Sequence, residues 1–159
     1  MKKSAFILII VLACFTQITL AHHLKLFNEM PDLLLICVIL VSLDFDLKSA
    51  LLFSIFSGVL KDLFSSSGFG FNVLFFSFWS FAVVRLARKI VFDNDLIRVA
   101  LVAIVSFLHN LLIAVALFAA GYAIPAGVAL RILFIGTIFT AVVSFLFFKI
   151  KNKVWAVFS

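Results

Sequence analysis

Apolar residues run along this chain almost without a break, and the polar ones gather in short clusters that divide it into six apolar segments. These are 5–20, 33–43, 47–60, 71–84, 99–119 and 128–148. A helix needs about 20 apolar residues to cross a bilayer. The first, fifth and sixth segments fit that requirement directly. The second, third and fourth are shorter, so their flanks must enter the membrane buried against other helices, or the segments tilt and thin the bilayer locally. The second is short enough to be read as re-entrant instead. There is no internal repeat, low-complexity linker or heptad seam. The pattern predicts an all-α integral membrane protein with six transmembrane helices, folded as a single polytopic domain over residues 1–159.

Composition agrees. Of 159 residues, 66% are hydrophobic and 13% charged, where a soluble domain carries about 25% charged residues. A net charge of +6 in a soluble chain would point to nucleic acid. Here basic loops facing the anionic cytoplasmic leaflet explain it more simply, and the partner implied is the lipid bilayer. With the N-terminus inside, the inner segments hold Lys2, Lys3, Lys48, Arg85, Arg88, Lys89, Arg98, Lys149, Lys151 and Lys153. The outer ones hold Lys25, Lys61 and Arg131. Ten against three predicts both termini on the cytoplasmic side.

The first 21 residues, "MKKSAFILIIVLACFTQITLA", have the basic start and apolar stretch of a secretory signal, and "VLAC" faintly resembles a lipoprotein cleavage box. The apolar run is longer than a signal core and further spans follow, so the expectation is an uncleaved first helix.

Patterns that carry chemistry are few. Cys14 and Cys37 stand singly in different apolar segments, where each serves as a small hydrophobe. His22 and His23 are adjacent, with no third ligand at metal-binding spacing. No nucleophile elbow, zinc-protease helix or phosphate loop occurs, so no catalytic residue, metal or cofactor is expected. His109 and Asn110 differ, because they lie midway along the fifth segment. An ionisable side chain at that depth is a functional candidate, but with no carboxylate chain at the same depth the favoured role is a hydrogen bond between helices.

One polar stretch interrupts the apolar wall: "GVLKDLFSSSGFGFN", residues 58–72. The topology puts it at the outer ends of the third and fourth helices and the loop between them. Gly58 and Asp62 are four apart, on one helix face; the glycine admits a close neighbour. The carboxylate requires N–H donors from the loop or a cation, and Arg131 at the outer start of the sixth helix offers one. A solvated turn is the alternative.

The same stretch, extended to Leu74, resembles the signature of the rod-shape-determining MreD family. Gly58, Asp62, Leu63, Ser65, Ser67, Gly70, Asn72 and Leu74 fall on matching positions. Ser66 stands where glycine is usual, Gly68 where proline is usual, and Lys61 replaces an apolar residue. Upstream, "PDLLLICVIL" (31–40) is similar to that family's opening of helix two. Downstream, "VVRLARKIVF" (83–92), with Arg85, resembles its basic exit from helix four. The resemblance implies a non-catalytic protein of the bacterial inner membrane; its matched residues Gly58, Asp62, Ser65, Gly70, Asn72 and Arg85, together with Arg131, His109 and Asn110 singled out above, are the structural or partner-binding candidates. It implies pairing with a single-pass MreC protein, and through it with the peptidoglycan synthases and the MreB filament. The family's helical core looks like the substrate-binding subunit of energy-coupling-factor transporters, so the alternative is a vitamin-type binding subunit. Such a binder needs a pocket of convergent polar groups near the outer face, where this chain offers little beyond Asn28, Glu29, Asp32, Tyr122 and the 58–72 stretch.

Overall fold

The computed structural model describes residues 29–64 and 70–158, with side chains as far as Lys149 apart from that of residue 64. The described elements are all helices: α1 Leu33–Asp44, α2 Leu47–Phe64, α3 Phe71–Ala87, α4 Asp95–Ala119, α5 Ala126–Arg131, a π-helical turn Ile132–Gly136, and α6 Thr137–Phe158. The 5–20 segment, with Cys14, His22 and His23, lies outside the described residues.

Boundaries follow local chemistry. Asp32 caps α1, its side chain accepting from the Leu35 N–H at 3.1 Å. Asp46 does the same before α2, accepting from the Ser49 N–H and hydroxyl, and Asn94 accepts from Leu96 N–H at the start of α4. The helices α2 and α3 run past their apolar segments at one end, to Phe64 and Ala87. Lys61 and Asp62, beyond the apolar segment that ends at residue 60, are helical residues, in keeping with the helix face that Asp62 shares with Gly58.

The helix α1 is the axis of the bundle. Leu33 through Ser42 are all buried, as expected of a helix apolar on every face and enclosed by protein. It lies against the α2–α3 hairpin on one side and touches α4 and α6 on the other. Twelve residues rise about 18 Å, well short of the roughly 30 Å hydrocarbon layer. Two described helices are long and apolar enough to cross a membrane, Asp95–Ala119 and the rod Ala126–Lys149.

The surface is as apolar as the interior, and small polar residues are buried among the apolar core. Ser54, Ser57, Ser80, Ser106, Thr140 and Ser144 are buried, while Leu52, Leu74, Phe118, Ile138 and Val142 are each more than half exposed. Several of the hydroxyls are satisfied locally or between helices: Ser42 donates to the Val38 carbonyl, and its oxygen lies 3.0 Å from Ser80 Oγ on α3, within hydrogen-bond distance. Small polar residues inside and large apolar ones outside suit lipid as the surrounding solvent.

The 128–148 segment was expected to be one regular helix. The π turn at Ile132–Gly136 widens it, and the Asn110 amide meets that turn from α4, donating to the Ile132 carbonyl at 3.2 Å and to Thr137 Oγ1 at 3.4 Å. A widened turn frees backbone groups from the regular ladder, and a side-chain amide in the neighbouring helix takes one up.

Candidate functional site

Two polar centres occupy the interior, and both use the last turns of α2. The first is built on Asp62. Gly70, the N-cap of α3, has φ +106 and no side chain with which to cap the helix. The first N–H groups of α3 would be left without acceptors. Asp62 supplies both oxygens from α2: Oδ2 accepts from Gly70 N–H at 3.0 Å and Val73 N–H at 3.2 Å. Oδ1 accepts from Asn72 N–H at 3.2 Å and from the Asn72 amide at 2.8 Å. A carboxylate at a helix N-terminus also meets the positive end of the helix dipole. Asp62 is only 3% exposed, so its charge is held almost entirely by these four donors.

Gly58 makes that approach possible. A Cβ there would stand 2.5 Å from Val73 Cα and 2.8 Å from Val73 N. Backbone meets backbone at this crossing, one turn before the carboxylate. Gly58, Asp62, Gly70 and Asn72 thus form one device that fastens the start of α3 to α2. Ser65 lies outside the described residues. Arg131, weighed as the cation for Asp62, pairs with Glu29 Oε1 at 3.2 Å; the N–H donors of α3 fill the place it would have taken.

The second centre was not legible as a unit. The sequence places Lys61 at the outer end of the third helix and His109 at a depth with no carboxylate chain. In the fold Lys61 turns inward, forms an ion pair with Asp32, and lies 5.0 Å from the centroid of the Phe76 ring. Its Nζ is 3.4 Å from His109 Nε2, and Asp32 Oδ2 is 3.9 Å from the same nitrogen. A lysine ammonium can only donate, so Nε2 is the acceptor in the Lys61 contact. The other ring nitrogen, Nδ1, is buried without a hydrogen-bond partner among the described residues. Phe75 and Phe76 flank the ring from α3. The Asp32 N–H donates to Thr140 Oγ1 at 3.1 Å, and that hydroxyl donates to the Gly136 carbonyl at 2.8 Å. Asp32, Lys61, His109 and Thr140 therefore join the start of α1 to α2, α4 and α6.

The remaining candidates separate. Asn110, next to His109 in sequence, serves the π turn and not the ion pair. Arg85 is in the last turn of α3, its guanidinium 4.5 Å from the Phe81 ring centroid. Cys37 is buried and free in α1. No group of three metal-ligating side chains occurs among the described residues. Both centres join helices to one another: charge and hydrogen bonds at each are directed at partners within the chain.

A family model described as rod shape-determining protein MreD matches residues 2–154. No curated protein and no solved structure matches the chain.

Proposed function

The chain belongs to the MreD family of rod shape-determining proteins, and from that premise we propose that it is a non-catalytic membrane scaffold of the bacterial cell-elongation complex. Membership gives it a part in rod shape determination within a family of membrane proteins. Beyond that, the proposal is a six-span protein of the inner membrane with both termini in the cytoplasm. Its helical core would resemble the substrate-binding subunit of energy-coupling-factor transporters. Its partner would be an MreC-type single-pass protein, with links, direct or through that partner, to the peptidoglycan synthases and the MreB filament.

The family match over nearly the whole chain carries this reading. The interior supports it, because its ionic groups are spent on fastening helices. Asp62 is used by the start of α3, and Asp32 by Lys61 and α1. A scaffold requires a stable bundle whose apolar outer faces accept partner helices, and large side chains of α2, α3, α4 and α6 face outward.

The test is depletion in a rod-shaped host together with affinity purification from its membranes. Rounded cells and capture of an MreC-type protein are the expected results. Unchanged shape, with capture of transporter ATPase subunits and a vitamin-like ligand, would overturn the scaffold.

A further inference from the structure

At the end of α3 farthest from Asp62, an open depression is lined by Ala82, Arg85, Leu86, Arg88 and Lys89. Its cations are exposed, and none of the ion pairs among the described residues involves them. The carboxylates downstream do not neutralise them either. Asp95 lies 3.6 Å from Arg98, which also donates to the Phe92 carbonyl, and Asp93 is exposed without such a pair. The negative end of a helix amounts to about half an elementary charge, too little to offset three cations. The Arg85 guanidinium lies over the Phe81 ring, 4.5 Å from its centroid. Leu86, Ile90 and Val91 are exposed beside the cations, Val91 at 73%.

We propose that this depression binds the phosphate of an anionic phospholipid in the cytoplasmic leaflet. Arg85 and Arg88 would take the phosphate oxygens, for which the guanidinium fork is suited. Lys89 adds a third charge, and Leu86, Ile90 and Val91 lie along the glycerol and upper acyl region. Positive charge beside exposed apolar side chains matches a lipid, whose phosphate and hydrocarbon lie one above the other at the membrane surface. The leaflet, though not the chemistry, rests on the proposed orientation.

Native mass spectrometry of the full-length protein, extracted from nanodiscs of equal parts phosphatidylglycerol and phosphatidylcholine, tests this. The wild-type chain is expected to retain phosphatidylglycerol preferentially. R85Q/R88Q/K89Q should lose the preference, by about fivefold per cation removed, the factor equivalent to about 1 kcal/mol each. K48Q/K149Q/K153Q, which removes the same charge elsewhere, should keep it. Equal loss in both triple variants, or none in the first, would overturn the site. So would unchanged lipid preference combined with loss of an acidic cytoplasmic protein from pull-downs. Retention in a nanodisc does not depend on which leaflet the site faces, so a reversed orientation and an absent site give different results.

Discussion

Gly58 lies directly under Val73, so close that the smallest possible side chain would overlap the Val73 backbone at 2.5 Å. Alanine in place of a helical glycine normally stabilises by about 1 kcal/mol. Overpacking at a tight contact costs about 1–3 kcal/mol, and here the atoms met belong to backbone that cannot rotate away. Gly58→Ala should therefore destabilise, and Gly58→Leu should do so severely. Thermal unfolding of the detergent-solubilised protein checks this; a midpoint raised by alanine would show that the helices separate at no cost.

Asp62 and Arg131 should respond very differently to removal. Asp62→Ala leaves three backbone N–H groups and the Asn72 amide without an acceptor in a buried site, where each unmet donor costs about 1–3 kcal/mol before relaxation. Membrane abundance is expected to collapse. Arg131→Ala removes an ion pair whose arginine is 35% exposed, worth less than about 1 kcal/mol, and abundance should hardly change. Equal effects would mean that Asp62 does not depend on the start of α3.

The Asp32–Lys61 pair calls for a double-mutant cycle. The two side chains are 22% and 12% exposed, so breaking the pair from one side costs less than the roughly 3–5 kcal/mol of a fully buried pair, whereas replacing both members is often close to neutral. Asp32→Asn and Lys61→Met should each lower the unfolding midpoint, and the double variant should be more stable than either single one. Additive losses would show that the two charges are separately solvated.

Orientation is testable with single cysteines in a background lacking Cys14 and Cys37. Both positions chosen, Tyr122 and Asp93, are exposed. A cysteine at 122 should react with an impermeant maleimide from outside intact cells, and one at 93 only after permeabilisation. The reverse result would turn the topology over and move the basic end of α3 to the outer leaflet.

The described helices were largely legible because apolar runs mark them locally; Asp32, Asp46 and Asn94, each just before a helix that it caps, are a further local signal that the apolar pattern leaves unused. The Gly58–Asp62 spacing likewise announced a shared face within a single turn. The second centre was illegible for a physical reason. Its members stand at 32, 61 and 109, and nothing in the sequence tells a lysine at a helix end whether to point outward or to turn in over Phe76. The π turn was hidden too, because residues 132–136 read as ordinary apolar helix and the widening depends on an amide at 110 reaching across. Arg131 was drawn to Asp62 by charge alone, since Glu29 gave no sign of lying beside it.

The complete enclosure of α1 sets an order for biogenesis. A segment of 12 residues leaves the ribosome before the described helices that surround it, α2, α3, α4 and α6, and it is too short to remain across the hydrocarbon layer unaided. It must therefore wait near the surface of the membrane until the α2–α3 hairpin arrives to receive it. Cys37, buried at 1% exposure in the finished bundle, is a built-in reporter of that delay. With Cys14 replaced, chains ending after Asp46 should expose Cys37 to a small maleimide, and chains continuing through Ala87 should protect it. Protection in both would mean that α1 finds its shelter without the hairpin.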